Sequence, residues 1–363
     1  MSPDFDRTPY AETPEAQRLP RDEANAILNS VEQALLTSSG ITAQLFLLAG
    51  PPGIGKTFLL EQIQTGLDER DIRCFPPPGA DSPAINAGAF LDADEQILQA
   101  VLQWCGESSG VSVPAPPAGA DRTIWLSTWM DGQRRNVQSP PLALFVDDVE
   151  RWSETLHSQE LESGTDREEA AERIRRVYQL LWQPLLRHPH SPSFIFCAGR
   201  SSFLPRLPVS LLARLRVVRL GEFADDLVSR LIDSQLPDQT RTLILRYAQG
   251  NPRIAQWLSH RLLSNADVLH SPADRESLIE ELFWIIVDKR VAQPLGEILL
   301  GLARRRPSGF KDTDSLLRPS ETFPISGRHV LDRLIRAGFV EYVPEQSYQV
   351  LPPIVHLFSK ERS

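Results

Sequence analysis

Strand-like runs of hydrophobic residues, two of them interrupted by charged residues, recur at intervals along the first 220 positions. The runs lie at residues 45–49, 71–75, 142–146, 194–198 and 215–220. The runs at 142–146 and 194–198 are uninterrupted, which is typical of parallel strands buried on both faces. Stretches with helical spacing of apolar residues lie between them, at residues 22–35, 58–63 and 92–104. Strands that alternate with helices predict an α/β fold with a parallel sheet over residues 21–222.

The pattern becomes helical from about residue 223 onward. Helical spacing covers residues 225–235, 238–249, 254–265 and 275–291, which predicts a helical lid domain over 223–290. The remaining residues, 291–363, contain two further helical stretches and then two strand-like runs at 339–343 and 347–351. A helix followed directly by a hairpin is typical of a C-terminal winged-helix domain. Residues 1–20 are rich in Pro and acidic residues, and we expect a disordered tail there.

Composition narrows the classes of protein further. The chain of 363 residues has a net charge of −9, which argues against nonspecific binding of nucleic acid by the whole protein but leaves room for a local basic face. No apolar run reaches the roughly 18 residues of a membrane span, and the first residues, Met1-Ser2-Pro3-Asp4, do not show the basic and apolar regions of a signal peptide. Cys74, Cys105 and Cys197 have no metal-ligand spacing, which predicts free thiols. We therefore expect a cytoplasmic protein without a membrane partner.

The stretch Gly50–Thr57 carries the strongest chemical signal. It fits the phosphate-binding loop pattern of Gly, four residues and then Gly-Lys-Thr, and it lies between a predicted strand and a predicted helix. Such a loop directs backbone N–H groups and a helix N-terminus at one point, which suits a triphosphate. The residues predicted to bind the nucleotide here are Gly50, Pro51, Pro52, Gly53, Ile54, Gly55, Lys56, Thr57 and Phe58. Lys56 can bridge the β- and γ-phosphates, and Thr57 offers a hydroxyl to Mg²⁺.

Two carboxylates, Asp147 and Asp148, end the apolar run at 142–146. The carboxyl edge of a parallel sheet is where active sites lie in such folds. Asp147 is therefore predicted to hold Mg²⁺ together with Thr57, and Asp148 to orient or deprotonate the attacking water. The alternative is that one of two adjacent acids is only solvated. Since Asp148 is a methylene shorter than the glutamate that many ATPases use here, we expect slow turnover.

Two arginines are candidates for sensing the phosphates. Arg200 directly follows the strand-like run at 194–199, which should neighbour the strand of Asp147, and it can reach the γ-phosphate as a catalytic residue. Arg253 begins a lid helix and can contact the same phosphate, so that nucleotide state is coupled to domain angle. Alternatively, either is an ordinary surface arginine. ATP is favoured over GTP because no guanine-reading Asn/Thr-Lys-x-Asp motif follows the strand of Asp147.

Taken together, these features resemble the AAA+ and STAND branch of phosphate-loop ATPases. The resemblance rests on Arg21-Asp22-Glu23, GPPGIGKT (50–57), FVDDVE (145–150), AGR (198–200), GNPR (250–253) and the C-terminal winged-helix pattern. It covers about residues 20–363 and implies a P-loop NTPase core with a helical lid and a winged helix. It also implies ATP or ADP with Mg²⁺ as ligands, with Lys56 and Thr57 at the phosphates and Mg²⁺, and Arg200 and Arg253 as sensors.

STAND proteins are nucleotide-dependent switches, which usually continue into repeat sensors and carry an effector domain. No internal repeat of 20–50 residues is visible here. We therefore expect the sensor or effector on a separate protein partner or in the short N-terminal tail. A separate partner would make this chain part of a multi-component bacterial defence or signalling system, with ATP driving homo-oligomerisation or partner engagement.

The alternative is a DNA-acting AAA+ ATPase, similar to initiators or transposition regulators, that binds duplex DNA through the winged helix. The basic residues Arg328, Arg333 and Arg336 would then support DNA binding. Residues 291–363 hold ten basic against eight acidic residues, a weak excess for a DNA-binding domain. A nucleotide-stabilised scaffold without turnover is a third possibility.

Overall fold

The structure is a computed structural model. It describes residues 19–37, 44–51, 53–80, 82–87, 95–108, 110, 112–121, 124–125, 128–129, 132, 141–149, 193–199, 215–264, 272–287, 293–305, 330–331, 334, 339–343 and 347–350. These residues belong to two compact units. The α/β unit comprises residues 20–50 and 56–219, and the helical unit comprises residues 51–55 and 220–363 together with Leu19.

The α/β unit contains a parallel sheet of six strands. The strands are β1 (Gln44–Ala49), β2 (Arg73–Phe75), β3 (Ile85–Asn86), β4 (Leu142–Asp147), β5 (Phe194–Gly199) and β6 (Leu215–Arg219). Their order across the sheet is β2-β4-β5-β1-β6, and β3 pairs with β4. Every pairing within this sheet is parallel, which confirms the predicted α/β fold.

The central strands are buried because both of their faces are covered. On one face, Phe46, Phe145 and Phe196 stack, with ring centroids 4.9–5.0 Å apart. On the other face, residues of β1, β4 and β5 share a core with the helix α3 (Glu95–Ser108). The helices α1 (Asp22–Thr37) and α2 (Lys56–Asp68) pack against each other.

Two strands share one side of β4. Phe75 of β2 lies opposite Leu144, and Asn86 of β3 lies opposite Asp147, so β2 and β3 together form one interrupted strand beside β4. The sequence pattern predicts β2 but not β3. The reason is that β3 has only two residues and follows a stretch rich in Pro, where sequence pattern indicates a loop.

The helical unit consists of helices followed by a hairpin. The elements are α4 (Asp225–Val228) with a 3₁₀ turn (Ser229–Leu231), α5 (Asp238–Ala248), α6 (Pro252–Ser264), α7 (Pro272–Val287), α8 (Gln293–Arg305), β7 (Val340–Val343) and β8 (Ser347–Val350). The strands β7 and β8 pair antiparallel, as predicted for the hairpin. One apolar core includes residues from Val228 in α4 to Val350 in β8.

The helix predicted over 225–235 is shorter than expected. The α-helix ends at Val228 and continues only as a 3₁₀ turn to Leu231. Asp233 then forms a local turn, because its carboxylate accepts a hydrogen bond from the backbone N–H of Gln235 at 2.8 Å. Asp competes with helix formation through such bonds, which explains the early end.

Several predicted functional residues lie outside the described residues, namely Pro52, Arg200, Arg328, Arg333 and Arg336. Within the described part of the chain, no helix combines the length and the apolarity needed to span a membrane.

Candidate nucleotide-binding site

The loop between β1 and α2 comprises residues 50–55, and its glycines allow the tight turn between the strand and the helix. Gly50 directly follows β1, and its N–H donates a hydrogen bond to the carbonyl of Gly199 at 3.2 Å. Gly53 and Gly55 have left-handed backbones, with φ of +78° and +91°. Glycine adopts this conformation without the steric cost that a Cβ brings, so the chain can turn tightly before α2 begins at Lys56. The N-terminus of α2 is thereby placed at the end of the loop.

The side chain of Lys56 extends back across the loop. Its ammonium Nζ donates a hydrogen bond to the carbonyl of Gly50 at 3.0 Å, and the residue is half-buried. This contact joins the two ends of the loop through one cation. A cation beside glycine N–H groups and a helix N-terminus is an arrangement that attracts phosphate.

Thr57 and Asp147 meet at the carboxyl edge of the sheet. The Thr57 hydroxyl donates to Oδ2 of Asp147 at 2.6 Å, and the Asp148 N–H donates to Oδ1 at 2.7 Å. Burial, and next the nearby charge of Asp148, raise the pKa of the Asp147 carboxyl above its ordinary value. The hydrogen bond from Thr57 and the charge of Lys56 act in the opposite direction. A cation beside this carboxylate would therefore favour its ionised form.

These residues fit a magnesium ion by their chemistry. Mg²⁺ prefers hard oxygen ligands and is usually held by one or two carboxylates together with water and substrate phosphates. Asp147 and Thr57 supply one carboxylate and one hydroxyl in contact with each other. Among the described residues, no group of three or more His, Cys, Asp or Glu is positioned to hold a metal.

Asp148 has an unusual backbone for a residue other than glycine. Its φ is +57°, in the left-handed region, where Asp is more tolerated than most residues. The next residue, Val149, is buried, and its N–H donates to the carbonyl of Ala198 at 3.1 Å. The left-handed turn at Asp148 therefore lets the chain leave β4 while Val149 remains in the core.

Asn86 is a site residue that the sequence analysis missed. Its side-chain amide Nδ2 donates to Oδ2 of Asp148 at 3.2 Å. The register of β3 opposite Asp147 brings this amide to the carboxylate. No sequence pattern marks Asn86, because its position depends on the pairing of a two-residue strand.

The tip of the loop lies beside the start of α6. A Cβ added to Gly53 would be 2.7 Å from Cβ of Arg253 and 2.9 Å from Oδ1 of Asn251. Asn251 caps α6, because its Oδ1 accepts hydrogen bonds from the N–H groups of Arg253 at 3.1 Å and of Ile254 at 3.3 Å. Both Gly53 and Arg253 belong to the helical unit. The predicted sensor Arg253 is therefore adjacent to the loop tip.

The remaining predicted loop residues differ in exposure. Ile54 is only 1% exposed, so its side chain is part of the protein interior and a ligand can contact only its backbone. Pro51 and Phe58 are half-buried, and Thr57 is exposed. Pro52 and Arg200 stay predictions. The strand that precedes Arg200, β5, does pair with β4 as expected.

Comparison with known proteins gives loose structural likenesses. No family model and no curated protein matches the chain. The Walker-type ATPase of Pyrococcus abyssi is 15% identical, with 95% of this chain and 97% of that chain covered and a TM-score of 0.47. The ORC2 protein of Aeropyrum pernix is 14% identical, with 95% and 96% covered and a TM-score of 0.43. RuvB of Thermotoga maritima is 15% identical, with 92% and 93% covered and a TM-score of 0.41. Because these TM-scores are low, the assignment of the fold rests on the strand order of the sheet.

Proposed function

We propose that this protein binds ATP with Mg²⁺, hydrolyses it slowly and acts as a nucleotide-dependent switch. The observation that carries the proposal is the hydrogen bond of 2.6 Å between Thr57 and Asp147, formed directly beside Lys56 at the end of a glycine-rich loop. The loop sequence alone suggests phosphate binding. The carboxylate at the hydroxyl adds the partner that a magnesium-dependent triphosphate site requires.

Each side chain has a role that follows from its chemistry. Lys56 would neutralise phosphate charge, and the glycine backbone of the loop would donate N–H groups to phosphate oxygens. Asp147 and Thr57 would hold Mg²⁺, which supplies charge neutralisation at the phosphates. Asp148, fixed by the Asn86 amide, would accept a proton from water or orient it.

The switch part of the proposal rests on the contact at the loop tip. Gly53 and Arg253 lie against each other, and Arg253 is the second residue of α6, two positions after the cap residue Asn251. A phosphate in the loop would be close to a cation at the start of a helix, so binding would change the environment of α6. We propose that exchange of ADP for ATP exposes a surface for homo-oligomerisation or for a protein partner.

The test is size-exclusion chromatography with light scattering in four samples. The protein is loaded with ADP or with a non-hydrolysable ATP analogue, each with and without duplex DNA. Assembly with the ATP analogue alone is the expected result. An unchanged size in all four samples would contradict self-assembly as the response to ATP. The Asp148→Ala variant, in which hydrolysis should be blocked, should assemble with ATP itself as the wild type does with the analogue.

A second candidate function is DNA binding by an ATPase of the initiator type. The observation in its favour is the antiparallel hairpin of β7 and β8, which follows the helical residues 330, 331 and 334. A helix followed by a hairpin is the arrangement of a winged helix-turn-helix. Assembly that requires DNA in the same four samples, and that weakens steeply with salt, would favour this candidate over the switch.

A further inference from the structure

A buried glutamine lies behind the candidate site on α2. Gln64 is seven residues beyond Thr57, about two turns along the same face of the helix. It is only 2% exposed. Its amide Nε2 donates hydrogen bonds to two carbonyls, that of Pro76 at 2.6 Å and that of Pro83 at 3.1 Å. A buried amide that donates two hydrogen bonds to one loop is a strong restraint on that loop.

The two carbonyls lie on either side of the gap between β2 and β3. Pro76 directly follows β2, which ends at Phe75, and Pro83 comes two residues before β3 begins at Ile85. Both strands pair with β4 on the same side. The single amide of Gln64 therefore joins the two ends of the interruption. Its second contact, with Pro83, lies just before the chain resumes its pairing with β4.

The position of β3 matters because it carries Asn86. Asn86 lies opposite Asp147 in the sheet, and its amide bonds the carboxylate of Asp148. A residue that sets the register of β3 thus also sets the distance between Asn86 and Asp148. The helix that presents Lys56 and Thr57 is in this way connected to the carboxylate predicted to handle the attacking water.

We propose that Gln64 is a positioning residue for ATP hydrolysis, acting through β3 and Asn86 on Asp148. This inference rests on the proposed function. Gln64 contacts neither carboxylate, and its effect should reach the reaction only through the Asn86 amide. Hydrolysis should therefore respond to Gln64, whereas the binding of nucleotide at Lys56 and Thr57 should not.

The test variant is Gln64→Met, which keeps the length of the side chain and removes the amide donor. The matched control is Gln62→Met on the same helix. Gln62 also makes one hydrogen bond, but its Oε1 accepts from the backbone N–H of Arg21 at the start of α1 and not from the loop. If Gln64→Met fails to fold, Gln64→Leu replaces it with the same expected results, because Leu also lacks the amide donor and is a smaller apolar side chain.

The first readout is amide hydrogen exchange of residues 84–87, which does not depend on nucleotide. We expect Gln64→Met to speed exchange there about tenfold or more, because a short strand without this restraint opens more often. Gln62→Met should leave these amides unchanged. Equal exchange in Gln64→Met and the wild type would overturn the proposal, whether or not the protein hydrolyses ATP.

The second readout is a double-mutant cycle on single-turnover ATP hydrolysis. Gln64→Met should lower the rate about tenfold to a hundredfold, as small displacements of catalytic groups do, with ATP affinity within about twofold of wild type. Asn86→Ala should change the rate in the same direction, and the double variant should match Asn86→Ala alone. Multiplied effects would overturn the proposed route through Asn86. Absence of hydrolysis in the wild type would instead contradict the proposed function. Hydrogen exchange would still decide whether Gln64 holds β3 in place.

Discussion

The two ends of the phosphate-binding loop make contacts of different kinds. At the end that begins α2, Lys56 and Thr57 bond polar groups, namely the carbonyl of Gly50 and the carboxylate of Asp147. At the tip, Gly53 lies close to the side chains of Asn251 and Arg253, with no room for a Cβ. The base of the loop belongs to the α/β unit and the tip to the helical unit.

The difference separates two tasks within one loop. The base holds groups that attract phosphate and metal, so the free energy of binding there depends on charge. The tip depends on shape, because Gly53 must lack a side chain for Arg253 to lie where it does. Changes at the base should therefore alter binding and its dependence on pH, whereas changes at the tip should alter the stability of the helical unit.

The largest effect on stability is expected for Gly53→Ala. The new Cβ would lie 2.7 Å from Cβ of Arg253, an atom fixed by the backbone, and its φ of +78° is unfavourable for Ala. We expect a loss of about 3 kcal/mol in the free energy of unfolding, from left-handed strain and overpacking together. Urea unfolding of the nucleotide-free protein measures it.

Gly79→Ala is the matched control for this substitution. Gly79 has the same φ of +78°, but a Cβ there would meet nothing within 4 Å. Gly79→Ala should therefore lower the free energy of unfolding by only about 1 kcal/mol, which is the cost of the left-handed strain alone. Equal losses in the two variants would mean that the contact of Gly53 with Arg253 is not a restraint, and the contrast between tip and base would disappear.

A smaller effect is expected at the base from Asp147→Asn. The folded protein raises the pKa of Asp147, so the folded state holds this proton more tightly than the unfolded chain. The stability linked to this group is therefore present at low pH and is lost as pH rises from the unfolded value, about 3.9, through the raised folded value. Without nucleotide and metal, Asp147→Asn should raise the melting temperature by a few degrees at pH 7 and by less at pH 4.

The measurement is thermal unfolding in EDTA at a series of pH values. Asp226→Asn, which also removes one carboxylate charge but at an exposed position in the first turn of α4, is the control for the change in net charge. The prediction is contradicted if the difference in melting temperature between Asp147→Asn and the wild type stays constant between pH 4 and pH 8. That result would mean that folding does not raise the pKa of the Asp147 carboxyl.

How far the sequence predicts the structure differs between the elements. The strands β4 and β5 are predicted from their apolar runs, since burial on both faces leaves a continuous hydrophobic signal. Thr57 and Asp147 are predicted as partners because the loop motif and the strand end fix both residues locally. Such positions depend on nearby residues, and sequence pattern captures them.

Asn86 and Gln64 could not be predicted in the same way. Asn86 reaches Asp148 only because β3 pairs with β4, and Gln64 reaches Pro76 and Pro83 only because the loop folds back onto α2. A glutamine on a helix is ordinarily a surface residue. Its burial follows from tertiary contacts, which leave no periodic mark in the sequence. The contact between Gly53 and Arg253 is of the same kind.

The most direct test of the central claim is calorimetric titration of a slowly hydrolysed ATP analogue into the wild type and into Lys56→Ala, with Mg²⁺ and with EDTA. The wild type should bind, and removal of Mg²⁺ should weaken binding. Lys56→Ala should weaken it about thirtyfold, because a charge-assisted hydrogen bond is worth about 2 kcal/mol. Equal affinity in all four titrations, or no binding by the wild type, would contradict a magnesium-dependent triphosphate site at Lys56, Thr57 and Asp147.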